Sequence, residues 1–125
     1  MTEGIIICHG QLAFELIKTV EKILGNVRGL YPFSNCLVAP EVLYNQVAKF
    51  IKASNTVNFV IMVDLRGGNC WKVAKMLNRD FPSMKLLSGV NIPMLISFLT
   101  KKEKASLSDL TEILERDTHR GVVLE

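Results

Sequence analysis

Of the two histidines in the 125-residue chain, His9 stands where the apolar run Ile5-Ile6-Ile7-Cys8 gives way to Gly10. Histidine is the side chain whose unperturbed pKa lets it act near pH 7 as a neutral nucleophile, a base or a cation. A second group with chemical potential is Asp64, which ends the apolar stretch "NFVIMVDL" and is followed by Arg66, Gly67, Gly68 and Asn69. A carboxylate beside an imidazole can accept the Nδ1 proton, fixing the ring and leaving the Nε2 lone pair outward as a nucleophile. An anion arriving on Nε2 needs donors. Backbone N–H groups of glycines leading into a helix, here Gly67 and Gly68, are suitable. Phosphate is the anion such an arrangement suits, provided the fold joins residues so distant in sequence.

The elements that must position these groups are legible from hydrophobic periodicity. Gly4 to Cys8 reads as a strand buried on both faces. Gln11 to Leu24 reads as a helix with the stripe Leu12, Leu16, Val20, Ile23 and Leu24, stopped by Gly25 in the left-handed helical conformation. Within Val27 to Pro40 the pattern is interrupted, and a weak strand falls within Leu30 to Phe33. Pro40 opens a helix to about Ala53, with Val42 or Leu43, Val47, Phe50 and Ile51 as its core stripe. "NFVIMVDL" has the length and branching of a central strand. A third helix is expected over about Cys70 to Arg79 and a fourth strand within Met84 to Ser88. Asn91 can cap a helix with Pro93 in its first turn, running to about Lys101. A last helix runs from near Ser106 or Ser108 to His119 and Arg120, where positive groups suit the dipole, and "VVLE" reads as a final strand.

Strands alternating with helices predict a three-layer α/β domain, 1–125, with a mainly parallel sheet and right-handed crossovers. In such sheets ligands gather beyond the carboxyl ends of the strands, at the switch in strand order. With a doubly wound order of 2-1-3-4, His9, Asp64 and the "SGVNIP" turn would line one crevice. Each has a plainer reading: a structural histidine, a capping or turn aspartate, a tight glycine turn.

Composition narrows the classes. With 49% hydrophobic and 22% charged residues the chain is expected to fold around a side-chain core. The formal charge of +3 is spread along the sequence, its longest concentration being "TKKEK", so nucleic acid is not an expected partner. No apolar span approaches the ~20 residues of a membrane helix and "MTEG" lacks a signal peptide's basic region, so a cytoplasmic location is expected. Cys8, Cys36 and Cys70 are an odd number without C-x-x-C spacing, which predicts reduced thiols. Cys8, His9 and Cys70 show no zinc-site spacing either, so no metal is expected.

"HG" after the first strand, "VDLRGG" after the third and "SGVNIPML" after the fourth occur in order and at suitable spacing over nearly the whole chain. Together they resemble the mannose-type enzyme IIA components of the bacterial phosphoenolpyruvate:sugar phosphotransferase system (PTS). The resemblance implies a flavodoxin-like domain in which His9 accepts a phosphoryl group from the phosphohistidine of the carrier protein HPr and passes it to a IIB protein. Asp64 would orient the imidazole, and Gly10, Arg66, Gly67, Gly68 and Asn69 would surround the phosphate. No cofactor is implied, contact with the membrane would be indirect, through IIB and the permease, and a homodimer exchanging the C-terminal strand is common. The chain departs from the family at Asn69-Cys70, where Ser-Pro is usual, and at Arg66, where an apolar residue is common. Two other functions stay open: a regulatory relative whose phosphorylation controls a partner, and a flavodoxin-like module that binds a small ligand without covalent chemistry.

Overall fold

A computed structural model describes residues 1–125. The chain runs β1 (Glu3–Cys8), α1 (Leu12–Leu24), β2 (Leu30–Ser34), α2 (Pro40–Ala53), β3 (Phe59–Val63), α3 (Asn69–Asp80), β4 (Lys85–Ser88), α4 (Ile92–Lys101) and α5 (Leu107–Arg120). The four strands form one parallel sheet of order β2-β1-β3-β4, the flavodoxin-like topology expected from the sequence.

β1 and β3 are central, and Ile5 to Cys8 and Phe59 to Val63 are fully buried. That is why both read as continuous apolar runs with no alternation. Alternate residues serve opposite layers. Ile5, Ile7, Phe59, Ile61 and Val63 pack under α2 and α3, whereas Ile6, Cys8, Val60 and Met62 pack under α1, α4 and α5. Burying each such isoleucine contributes about 1.5–3 kcal/mol, so a one-residue slip that exchanged the two faces is strongly disfavoured. The register thereby held pairs Ile7 with Val63 on one side and with Phe33 on the other. The first residues beyond these neighbouring strands are His9, Asp64 and Asn35, with Ser34 the last residue of β2.

The interrupted region after α1 forms a real edge strand. Phe50 of α2 anchors it, with ring centroids 4.6 Å from Tyr31 and 5.7 Å from Phe33. Pro40 occupies the first turn of α2. Asn91 caps α4, its side chain accepting from the Met94 amide at 2.9 Å, and Ser106 caps α5 by accepting from Asp109 at 3.1 Å.

The structure corrects three expectations. α1 buries Ala13, Leu16 and Val20, while Leu12, Ile23 and Leu24 are exposed. The 13-16-20 spacing selects a face rotated from the expected stripe, and the larger leucines lie at the helix ends. Gly25 ends α1 with φ 85° and ψ −157°, an extended backbone open to glycine and not the left-handed helical stop. Val122 to Glu125 form no strand within the single chain, and Val122, Val123 and Leu124 are exposed.

Candidate functional site

The site lies beyond the carboxyl ends of β1, β2 and β3. β1 ends at Cys8 and β3 at Val63, so the parallel register delivers His9 and Asp64 to the same rim. One carboxylate oxygen, Asp64 Oδ2, is 2.9 Å from the His9 backbone nitrogen and 2.9 Å from its ring Nδ1. Burial opposes the charge on Asp64, but the bonds from the His9 amide and ring outweigh it and hold the carboxyl below its ordinary value. An ionised carboxylate can only accept, so Nδ1 carries the proton and the neutral ring keeps its lone pair on Nε2. The His9 side chain is 43% exposed and that of Asp64 14%, which leaves the imidazole accessible above a sheltered anchor.

The two glycines meet different demands. Gly67 adopts φ 87°, and a Cβ there would touch nothing, so the backbone conformation requires glycine. Gly68 has an ordinary φ of −78°, but a Cβ would stand 3.1 Å from His9 Cε1 and 3.6 Å from Nε2. Space, not conformation, is the constraint there: a Cβ would crowd the ring, which would have to give by a few tenths of an ångström. Gly68 is also the N-cap of α3 and supplies no capping side chain. The first-turn amides of α3, beginning with Asn69, therefore have no helical partners and carry the positive end of the dipole close to the ring.

Two residues of the site escaped the reading from sequence. Ser34 Oγ donates to the Gly10 carbonyl at 2.5 Å, and Asn35 Oδ1 accepts from the Gly10 N–H at 3.3 Å. Gly10, at φ 58°, is thus held through both its polar backbone atoms. Its amide is taken, as is that of Gly68, which donates to the Leu65 carbonyl at 3.3 Å. A polar Ser-Asn pair directly after a strand end was the available signal.

Arg66 is exposed and takes part in none of the five ion pairs of the chain. The "SGVNIP" turn lies at the same end of the sheet but is occupied with its own geometry. Gly89 and Val90 donate to the Val63 carbonyl at 2.8 and 3.0 Å, and Asn91 caps α4. Cys70 in the first turn of α3 is fully buried, as is Cys8 at the end of β1; burial pushes their thiols up to about 11 and about 12, so both are neutral. Trp71 packs partly against the core, with the Lys75 ammonium 5.8 Å from its ring centre. His9 lines no cavity. The largest cavity, about 690 Å³, lies at the opposite end of the sheet beside Glu3, Arg28, Tyr31 and Lys102. No helix is long and apolar enough to cross a membrane.

Comparisons with known proteins agree with this architecture. The family model described as "PTS system fructose IIA component" matches residues 4–115. The sorbose-specific EIIA component of Klebsiella pneumoniae is 28% identical over 92% of this chain and 85% of its own length. The mannose-specific EIIAB component of Escherichia coli K12 is 29% identical over 98% of this chain, which spans only 39% of that longer protein. Among solved structures, a phosphotransferase system component EIIA from Streptococcus agalactiae superposes with a TM-score of 0.92 at 20% identity, covering 99% of this chain and 97% of that one. A mannose/sorbose specific IIA subunit from Enterococcus faecalis does so with a TM-score of 0.81, also at 20% identity, covering 99% and 94%. At such identities the structural likeness speaks to the fold, while the family match extends through all three strand-end segments. This chain belongs to the mannose family of enzyme IIA components of the phosphotransferase system.

Proposed function

We propose that the protein is a phosphocarrier of PTS sugar uptake, in which His9 Nε2 accepts a phosphoryl group from phospho-HPr and passes it to a IIB protein. The observation that carries this reading is the bond from Nδ1 to Asp64 Oδ2 at 2.9 Å beneath a 43% exposed ring. It holds the imidazole in the tautomer whose lone pair faces outward.

The exchange is an in-line displacement between two protein imidazoles. His9 Nε2 forms the new N–P bond as the donor's N–P bond breaks, and the donor keeps the electron pair. The His9 Nδ1 proton stays on the ring, where the Asp64 charge stabilises the cationic character that develops. Charge on the transferring oxygens meets the α3 first-turn amides from Asn69 onward, with Gly67 and Gly68 permitting close approach. Arg66 can swing its guanidinium over the same oxygens. Because the ring stands on an open rim and not in a cavity, the site suits a protein partner better than an enclosed small molecule. That favours phosphotransfer over the small-ligand module.

The test is incubation with phosphoenolpyruvate, enzyme I and HPr from one organism. An acid-labile phosphoryl adduct should form, be absent from the His9→Ala protein and discharge onto a IIB protein. No adduct with a competent donor would overturn the reading. Adduct formation without discharge to any IIB protein would point to the regulatory relative instead.

A further inference from the structure

We propose that His9, Asp64 and Cys70 also form a binding site for a borderline-soft divalent metal ion of the Zn²⁺ class, and that the ion and the phosphoryl group exclude one another. The metal site itself stands on geometry alone; only the antagonism rests on the phosphocarrier reading.

Linear spacing argues against a metal here, because no two of the cysteines and histidines stand at zinc-site separation. Folding assembles a different trio. One donor atom from each of His9, Asp64 and Cys70 lies within 4.8 Å of the other two. The three come from separate segments: the loop after β1, the loop after β3 and the first turn of α3. Edges of a tetrahedral zinc site are about 3.3–3.6 Å long for Zn–N and Zn–O near 2.0–2.1 Å and Zn–S near 2.3 Å. The widest present separation therefore exceeds such an edge by no more than about 1.5 Å.

A second observation independently calls for a ligand. Asp64 Oδ1 is buried and has no hydrogen-bond partner, while Oδ2 takes both bonds from His9. A buried carboxylate oxygen left unpaired is costly, and a cation on it would remove that cost. The donor set selects the ion. One nitrogen, one carboxylate and one sulfur suit zinc, whereas calcium and magnesium favour all-oxygen shells. Three protein ligands leave a fourth position for water, which would enter from the exposed His9 side, since Cys70 and Asp64 Oδ1 are buried beneath it.

The antagonism follows from proton placement. Nδ1 is the ring nitrogen that faces Asp64, so it is the nitrogen an ion shared with that carboxylate meets. Coordination requires its lone pair, which moves the ring proton to Nε2. The Cys70 thiol proton leaves to solvent as the S–Zn bond forms. Phosphoryl acceptance requires the reverse, a proton on Nδ1 and a lone pair on Nε2. One imidazole cannot satisfy both. By linkage, phosphorylation must weaken metal binding by the same factor by which the metal opposes phosphorylation.

The test uses the reduced full chain carrying Cys36→Ala, which removes the exposed thiol as a source of signal. Co²⁺ and Zn²⁺ are the probes. Co²⁺ should bind one ion per chain with a thiolate-to-cobalt charge-transfer band in the near ultraviolet. The band should vanish when Cys70→Ala is added, and Zn²⁺ affinity should fall at least tenfold. The near-isosteric Cys70→Ser, with circular dichroism as a fold check, should behave likewise. Zn²⁺ should slow phosphoryl acceptance when Cys70 is present and lose most of that effect when it is replaced. Absence of the thiolate band, or equal Zn²⁺ affinity with and without Cys70, would overturn the site. The cobalt spectrum needs no phosphoryl donor, so failure of phosphorylation alone would sink the phosphocarrier reading and leave this one standing.

Discussion

Asp64 receives two N–H groups from the single residue His9, the backbone amide and the ring Nδ1, on the same carboxylate oxygen and both at 2.9 Å. The backbone bond matters as much as the ring bond, because it fixes where Oδ2 stands before the imidazole chooses its tautomer. Asp64 is thereby a support for His9 that the ring cannot easily leave.

That double bond refines what Asp64→Asn should do. An asparagine can place its carbonyl oxygen at the Oδ2 position and keep both hydrogen bonds, but its NH₂ group then falls at the buried Oδ1 position, which has no partner. Unsatisfied donors there should lower stability by about 1–3 kcal/mol. Loss of the negative charge beneath the ring should slow phosphoryl acceptance by roughly 10- to 100-fold, as when an imidazole loses its orienting carboxylate. Denaturant unfolding and single-turnover phosphorylation measure the two separately. A variant with wild-type rates would show that Asp64 contributes nothing to the transfer.

The neighbouring glycines should fail in different ways. Gly67→Ala forces a Cβ into φ 87° with free space around it, so its main effect should be a loss of about 1–2 kcal/mol of stability. Gly68→Ala has a permitted backbone, but its Cβ lies 3.1 Å from His9 Cε1 and must displace the ring. Its main effect should be a drop in phosphorylation rate at near wild-type stability. Melting temperatures and rates measured side by side decide the matter, and the reverse pattern would contradict the assigned reasons.

How much of this was legible in the sequence follows from what periodicity can register. β1 and β3 could be read because strands buried on both faces leave uninterrupted apolar runs, and α2, α4 and α5 because Pro40, Asn91 and Ser106 mark their starts. The face of α1 was misassigned because Leu12 and Leu24 are larger than Ala13, and composition weighs them more heavily than position does. β2 was faint since its stability comes from Phe50, which lies in another element. The pairing of His9 with Asp64 could be reasoned from strand ends and order. Cys70 joining them, and Ser34 and Asn35 gripping Gly10, depend on loop geometry that no linear spacing encodes.

Ser34 and Asn35 hold the carbonyl and the amide of one residue, Gly10, so their effects should not add. Ser34→Ala removes the donor to the Gly10 carbonyl and the acceptor of the Cys36 amide at 2.9 Å. Asn35→Ala removes the acceptor of the Gly10 N–H. Each should cost about 0.5–1.5 kcal/mol and slow phosphorylation a few-fold by loosening the turn that carries His9. The double variant should cost less than the sum, because the second change acts on a residue, Gly10, already loosened on its other side. Strict additivity in a double-mutant cycle would mean that the two act on separate parts of the loop.

Acid sensitivity should include a contribution far from His9. Asp117 joins α5 to α4 by accepting from Lys101 Nζ at 2.5 Å and from Ser97 Oγ at 2.6 Å, and these bonds hold its carboxyl down at about 2. A depressed folded-state value means that the contribution is complete above the unfolded value near 4 and disappears as the pH falls toward 2. Lys101 stays 42% exposed, so the ion pair is worth no more than about 1 kcal/mol. The urea midpoint of the wild type should exceed that of Asp117→Asn at pH 6, and the gap should close between about pH 4 and 2. A gap independent of pH would assign the effect to packing and not to charge.

Arg66 has neither a carboxylate partner nor a packing role that would account for its position at the edge of the Gly67 turn. Its cost in the resting protein is small because it is solvated, so any contribution must come when an anion sits on His9. A guanidinium over phosphoryl oxygens makes charge-assisted bonds about twice as strong as neutral ones, and in an exposed setting this amounts to at most about 1 kcal/mol. Arg66→Ala should therefore shorten the lifetime of phospho-His9 by up to about fivefold, with unfolding unchanged. Arg66→Lys should restore only part of the lifetime, since a point charge cannot grip two oxygens at once. If the lifetime is the same in all three proteins while transfer to the partner slows, the arginine contacts the partner surface and not the phosphoryl group.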